Sequence, residues 1–278
     1  MNIFGVTISA KNRAEVLGNI RQALSDNTFH RVTTLNPEFL LLAREDNRFR
    51  ENLNQADIKT IDGGGLRVVF WLQKKPWSGR VTGGEIVDLL CHEASLNLTP
   101  TLSSSQERGL PPHPSASRRT LLRQERGKCK IGIVVREDGL SSLEEILVAL
   151  RKKYPSLDCN GITIPRISIS ARSRLDANLE IDLQKILDCA IILCSLGAPE
   201  QEYFTESLRQ NPGNIRVAVG VGGVFDILTG KIKQAPRWIS KVGLEWLWRL
   251  LQQPRRFRRI FRAVVVFPYT CFIYKKKL

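Results

Sequence analysis

The stretch Ala56-Asp57-Ile58-Lys59-Thr60-Ile61-Asp62-Gly63-Gly64-Gly65-Leu66 constrains the fold more than any other. A short β-branched run ends in a carboxylate, a glycine run follows, and a helical pattern then begins. Strand, tight turn and helix form the repeating unit of an α/β sheet. Open sheets of that kind place ligands outside the carboxyl ends of their strands. The arrangement recurs upstream, where Arg31-Val32-Thr33-Thr34-Leu35 runs into Asn36-Pro37-Glu38, and downstream, where Val217-Ala218-Val219 runs into Gly220-Val221-Gly222-Gly223-Val224-Phe225-Asp226. Three strand ends with small or polar groups point to one active cleft.

The same alternation extends along the chain. Strands are expected over Asn2–Ser9, Arg31–Leu35, Ile58–Asp62, Lys130–Val135, Cys159–Ile164, Ala190–Ser195 and Ile215–Val221. Helices are expected over Arg13–Ser25, Pro37–Asn54, Gly65–Gln73, Gly84–Ala94, Ser142–Lys153, Leu175–Leu187, Pro199–Gln210 and Val224–Thr229. Apolar strand cores separated by helices imply a Rossmann-like α/β fold, with a mostly parallel sheet covered on both faces. Two segments break the pattern. Residues 97–127 are rich in Ser, Pro and Arg and read as a flexible insertion. From Pro236 onward Trp, Leu and Arg interleave, which divides the chain into an α/β domain over 1–235 and a helical, basic appendage over 236–278. In that appendage apolar residues recur at three- and four-residue steps, interrupted at Pro254.

Net charge of +15 over 278 residues is unevenly spread. From Trp246 to the end there are nine Lys/Arg and no Asp/Glu, and from Glu107 to Lys130 there are seven Lys/Arg against Glu107 and Glu125. A near-neutral body with a basic tail suits an anionic surface. The tail's aromatics fall at helical spacing among Leu and Ile, which favours lipid over the stacking platforms of a nucleic-acid binder. Six cysteines without a CxxC pair and only three histidines give little support for a metal site and suggest a reducing compartment. No signal peptide is indicated at the start, and the longest apolar run, 263–274, is too short to span a bilayer.

Each candidate residue carries a chemical and a plainer reading. Asp62 at a strand end can act as a general base, or open a turn through its side chain. Asn36 before Pro37-Glu38 can line the cleft, or cap a helix. Arg80 offers a donor fork for phosphate or sugar oxygens, or a solvated charge. Pro199, Glu200 and Glu202 suit a helix start. Gly220, Gly222 and Gly223 leave room for a phosphate, but no dinucleotide fingerprint is completed.

Taken in order, several motifs resemble those of the bacterial WecG/TagA/CpsF glycosyltransferase family, which makes surface polysaccharides and wall teichoic acid. They are Thr34-Leu35-Asn36-Pro37-Glu38, Ala56-Asp57 with Asp62-Gly63-Gly64-Gly65, Arg80-Val81-Thr82-Gly83, Leu196-Gly197-Ala198-Pro199-Glu200-Gln201-Glu202 and Val219 to Asp226. Gly230, Ala235-Pro236-Arg237-Trp238 and Gly243 to Leu250 follow. The resemblance covers most of the chain except 97–127. It implies inverting transfer of an N-acetylhexosamine, N-acetylmannosamine above all, from a UDP-sugar to a polyprenyl-diphosphate-linked N-acetylglucosamine. It implies no metal and no cofactor, and the chain has no Asp-x-Asp to hold a nucleotide diphosphate through Mg²⁺.

Carried over residue by residue, the resemblance makes Asp62 the base and Thr34, Asn36 and Arg80 its catalytic companions. It assigns Gly63, Gly64, Gly197, Pro199, Gln201, Glu202, Gly222, Gly223 and Asp226 to substrate binding, and Arg249, Arg255, Arg256 and Arg259 to the lipid diphosphate. The implied partners are the UDP-sugar, the lipid-linked acceptor and an anionic membrane at the inner face of the plasma membrane. A homo-oligomer is left open and no nucleic acid is expected. The chain departs from the family pattern at Glu85 (usually Asp), Glu200 (usually basic), Gln234 (usually Arg) and Arg136-Glu137-Asp138-Gly139 (usually a double-glycine turn). The alternative is therefore a catalytically impaired member or a non-enzymatic anion-binding protein.

Overall fold

The computed structural model describes residues 1–8, 12–75, 77, 79–96, 129–165, 183–236, 239 and 244–276. The insertion expected over 97–127, most of the helix expected over 175–187, and Arg237, Trp238 and Gly243 lie outside the described residues. Eight strands occur among those described: β1 (Asn2–Ile3), β2 (Val6–Thr7), β3 (His30–Leu35), β4 (Ile58–Ile61), β5 (Ile131–Arg136), β6 (Cys159–Ile164), β7 (Ile191–Ser195) and β8 (Val217–Gly220). The last six form one sheet in the order β4-β3-β8-β7-β5-β6. Every neighbouring pair in it is parallel. The fold is thus α/β and Rossmann-like. The strands are buried on both faces, which is why Ile131–Val135 and Ile191–Cys194 are near-continuous apolar runs.

Side-chain alternation divides the core between the two faces. One face carries Val32, Ile58, Ile133, Leu193 and Val219, and packs against α1 (Arg13–Ser25), α5 (Gly83–Ser95) and α6 (Leu143–Lys153) through Val16, Ile20, Ile86, Leu90, Ile146 and Leu150. On the other face, Leu35 and Ile61 meet α2 (Pro37–Glu45), α3 (Asn47–Asn54) and α4 (Gly64–Leu72). Two expected elements are corrected. The strand expected over 2–9 is a hairpin outside the main sheet, because Phe4 (φ 52°) and Gly5 (φ 84°) turn the chain. The helix expected over 37–54 is two helices. Asp46 leaves helical geometry at φ −124° and its side chain accepts the Phe49 N–H at 3.1 Å, capping the second.

Two helices, α7 (Glu200–Ser207) and α8 (Val224–Leu228), follow β7 and β8, and the C-terminal segment then folds back onto α2 and α4. It comprises α9 (Glu245–Gln252), a 3₁₀ turn (Pro254–Arg256), α10 (Phe257–Phe261), a π-helical turn (Arg262–Val266) and α11 (Phe267–Lys276). Pro268, which has no N–H to give the helical ladder, is the second residue of α11, just after that π turn. Phe267 is fully buried and joins Phe4, Leu35, Phe39, Phe70 and Cys271 in one cluster. A Cβ on Gly65 would lie 2.6 Å from the Ala263 carbonyl oxygen, so glycine lets α4 meet the returning segment. No helix among the described residues is long and apolar enough to cross a membrane.

Candidate active site

Because the six strands are parallel, Leu35, Ile61, Arg136, Ile164, Ser195 and Gly220 all end at one edge. β3, which leads outward to β4, lies beside β8, which closes the other half of the sheet. That junction is where an open α/β sheet leaves a crevice. Asp62 is fixed there by its own backbone, whose N–H donates to the Leu35 carbonyl at 2.7 Å. The chain then returns along the same strand end. The Val81 N–H donates to the Ile61 carbonyl at 3.1 Å, and the Thr60 hydroxyl donates to the Val81 carbonyl at 3.3 Å. This sets Arg80 beside Asp62, and its Nε donates to Asp62 Oδ1 at 2.7 Å.

The same guanidinium makes a second ion pair, Nη1 to Oε2 of Glu245 at 2.6 Å. The Asp62, Arg80 and Glu245 side chains are each about a third exposed, at 29, 34 and 33 %, so the group is sheltered but open to a ligand. Burial works against the charge on Arg80, yet Asp62 and Glu245 outweigh it and raise its pKa. Glu245 opens α9, and Arg249 follows one turn later. Arg249 lies over the β8 turn, where a Cβ on Gly223 would come within 2.8 Å of Nη2 and 3.2 Å of Asp226 Oδ2. A side chain at 223 would have to push the end of this arginine aside. Gly222 takes φ +54°, and its carbonyl accepts the Ser195 hydroxyl at 2.6 Å. Asp226 is oriented by the Ser141 hydroxyl, which donates to Oδ1 at 3.0 Å.

Arg256 and Arg259 complete the positive group. Burial first, and then the like charges of Arg249 and Arg259, push Arg256 down to about 10. Burial lowers Arg249 as well, with Asp226 opposing, and its Nε is buried without a hydrogen-bond partner among the described residues. Arg259 differs. A fork of bonds to Glu38, at 2.7 and 2.8 Å, raises its pKa. The carboxylates Asp62, Glu245, Asp226 and Glu38 match the four arginines in number, but Arg249 and Arg256 form no ion pair among the described residues, which leaves two guanidiniums able to meet an anion. Arg255, beside Arg256 in the chain, is exposed where Arg256 is half-buried.

The other expected site residues divide clearly. Asn36 is the helix cap, with Oδ1 accepting the Phe39 N–H at 3.0 Å. Thr34 is mostly buried and its hydroxyl donates to the Gly220 carbonyl at 3.4 Å, tying β3 to β8. Gly63 takes φ +98° against Pro37, where a Cβ would come within 2.9 Å, and Gly64 is exposed. Gly197 (φ +84°) and Pro199 shape the turn after β7. Gln201 and Glu202 lie in α7 (Glu200–Ser207) at 2 % and 0 % exposure, packed against the end of β8, where a Cβ on Gly220 would come within 2.4 Å of Gln201 Nε2 and 2.6 Å of Glu202 Oε1. Glu202 accepts the Thr33 hydroxyl at 2.6 Å and Nη1 of Arg31 at 3.2 Å. Arg31 is fully buried, bonds Asn52 and pairs through Nε with Glu206 at 2.7 Å. Glu85, one of the departures noted above, completes the Thr82 cap of α5 and pairs with Arg13.

Sequence reasoning missed Glu245 and Glu38. The available signal for the first was that Glu245 is the last acid before an all-basic tail. The chain matches the model of the glycosyl transferase WecG/TagA/CpsF family over residues 1–107 and 124–278. The unmatched residues, 108–123, fall inside the segment read as an insertion.

Proposed function

We propose that this chain, which belongs to the WecG/TagA/CpsF glycosyltransferase family, moves an N-acetylhexosamine with inversion from a UDP-sugar to a polyprenyl-diphosphate-linked N-acetylglucosamine. N-acetylmannosamine is the proposed sugar. The observation that carries the reading is the sheltered Asp62–Arg80 pair at the carboxyl edge, beside Arg249 and Arg256, which form no ion pair among the described residues. The acceptor hydroxyl oxygen attacks the anomeric carbon and gives its proton to the Asp62 carboxylate. The bond from the anomeric carbon to the diphosphate breaks, and its electron pair leaves with UDP. General-base help of this kind contributes roughly 10²–10⁴-fold. Arg80 orients the carboxylate, the turns at Gly197 and Gly222–Gly223 with Asp226 hold the nucleotide sugar, and Arg249 and Arg256 face the acceptor's diphosphate. No step is routed through a metal.

The C-terminal segment also suits a membrane surface at the cytoplasmic face. Phe257, Phe261, Val265 and Tyr269 are exposed on it, and the rings of Phe257 and Phe261 stack at 5.9 Å. Trp71, 76 % exposed, adds to the exposed apolar surface from α4, on which α11 packs. Arg255, Arg258 and Arg262 are exposed on the same segment. Apolar rings and basic heads together favour an anionic bilayer. The test is incubation of the full chain with a panel of UDP-sugars and a short-chain lipid-diphosphate acceptor, read by product mass. One UDP-N-acetylhexosamine should give a product one sugar heavier. Binding of UDP-sugar and diphosphate without any product would replace this reading with the anion-binding alternative.

A further inference from the structure

We infer that Glu245 is a positioning residue, which clamps Arg80 against Asp62 and so makes docking of the C-terminal helices a condition for an aligned base. The catalytic half of this inference rests on the transferase reading above. Arg80 lies in the loop between α4 and α5, where no helix or strand fixes its side chain. Its two ion pairs among the described residues are with Asp62 and Glu245, made by different nitrogens of one rigid fork, Nε and Nη1. A planar guanidinium held at two points keeps one orientation, whereas held at one point it turns about the remaining bond. The two carboxylates come from distant parts of the chain, Asp62 from the end of β4 and Glu245 from the start of α9. Arg249, one turn along the same helix, reaches the β8 turn at Gly223. One helix therefore touches both halves of the edge, and Glu245 is the end of it that reaches the base. Arg259 on Glu38 and Arg262 on Glu45 hold the neighbouring segment down on α2, so the contact with Arg80 forms only with that segment docked.

The test uses the full-length chain and Glu245→Gln, which removes the charge but keeps the shape of a one-third-exposed side chain. In ¹⁵N-labelled protein the Arg80 Nε–H signal, identified by its loss in Arg80→Lys, should exchange slowly with water in the parent chain. In Glu245→Gln it should exchange at least roughly tenfold faster or broaden away, with little change in melting temperature. An unchanged signal overturns the inference. In the transfer assay the same variant should lose roughly tenfold in kcat with KM for the UDP-sugar unchanged, since misplacement of a reacting group affects the chemical step. A raised KM at unchanged kcat also overturns it. Should Glu245→Gln fail to fold, Glu245→Asp, shorter by one methylene, is subject to the same two readouts. A parent chain without turnover would contradict the transferase reading alone, and the Nε–H exchange would still decide whether Glu245 holds Arg80.

Discussion

The molecule contains two clusters in which arginine meets carboxylate, and they are built in opposite ways. Under β3, Arg31 is sealed with Glu202, Glu206, Thr33 and Asn52, and both Arg31 and Glu202 have no exposure. At the carboxyl edge, Asp62, Arg80 and Glu245 are each about a third exposed, and Arg249 and Arg256 nearby form no ion pair among the described residues. In the sealed cluster the charges answer one another, and burial draws Arg31 down and Glu202 up toward their neutral forms. The open cluster is balanced in number but not in pairing, since Arg249 and Arg256 form no ion pair among the described residues. A buried ion pair is architecture, whereas sheltered guanidiniums without an ion-pair partner are a place for an anion to bind.

The largest expected effect tests the sealed half of this contrast. Arg31→Ala leaves Glu202 buried without its cation, and should cost about 3–5 kcal/mol of stability. Denaturant unfolding of the variant against the parent chain measures it, and a loss below about 1 kcal/mol would mean the cluster is not structural. The next effect concerns the exposed surface beside the open cluster. Phe257→Ser and Phe261→Ser should each weaken binding to anionic vesicles by about 2 kcal/mol, the value of burying such a ring, with the fold intact. Co-sedimentation at low and high salt would show this, and unchanged binding would remove the rings from the membrane reading.

A smaller effect separates the arginines from one another. Arg256→Ala should lower affinity for inorganic pyrophosphate roughly tenfold, the order of one charge-assisted hydrogen bond. Arg255→Ala should leave that affinity unchanged, because Arg255 is exposed where Arg256 is half-buried. Isothermal titration of both variants tests the pair. Equal losses would show that only net charge matters, and the contrast between a built site and a basic surface would fail.

The parallel sheet was legible because its strands are apolar runs bounded by turns, and residues buried on both faces leave that record in any single sequence. Asp62 was legible as a candidate for the same reason, since it follows directly from the end of a strand, whereas Arg80 was reached through the motif Arg80-Val81-Thr82-Gly83. Their pairing was not legible, because it depends on Val81 returning to Ile61. Glu202 was misread. Next to Pro199 and Glu200 it looks like an ordinary acid in the first turn of a helix, and its true partner, Arg31, lies 171 residues away. Asn36 was read both ways, and the structure shows the cap. The break at Asp46 escaped notice because the apolar period of 37–54 continues through it, while the capping bond is visible only in three dimensions. Glu245 and Glu38 were missed because ion pairs between distant segments leave no periodic trace.

The central claim, that the open cluster does chemistry with Asp62 as its base, is tested most directly by Asp62→Asn. The variant and the parent chain are compared for turnover with the authenticated UDP-sugar and acceptor, alongside UDP-sugar binding by titration calorimetry. The amide keeps the size of the side chain but cannot take the proton, so turnover should fall by roughly 10²-fold or more while UDP-sugar affinity stays within about a factor of two. Turnover equal to that of the parent chain, at the same UDP-sugar affinity, would contradict the account.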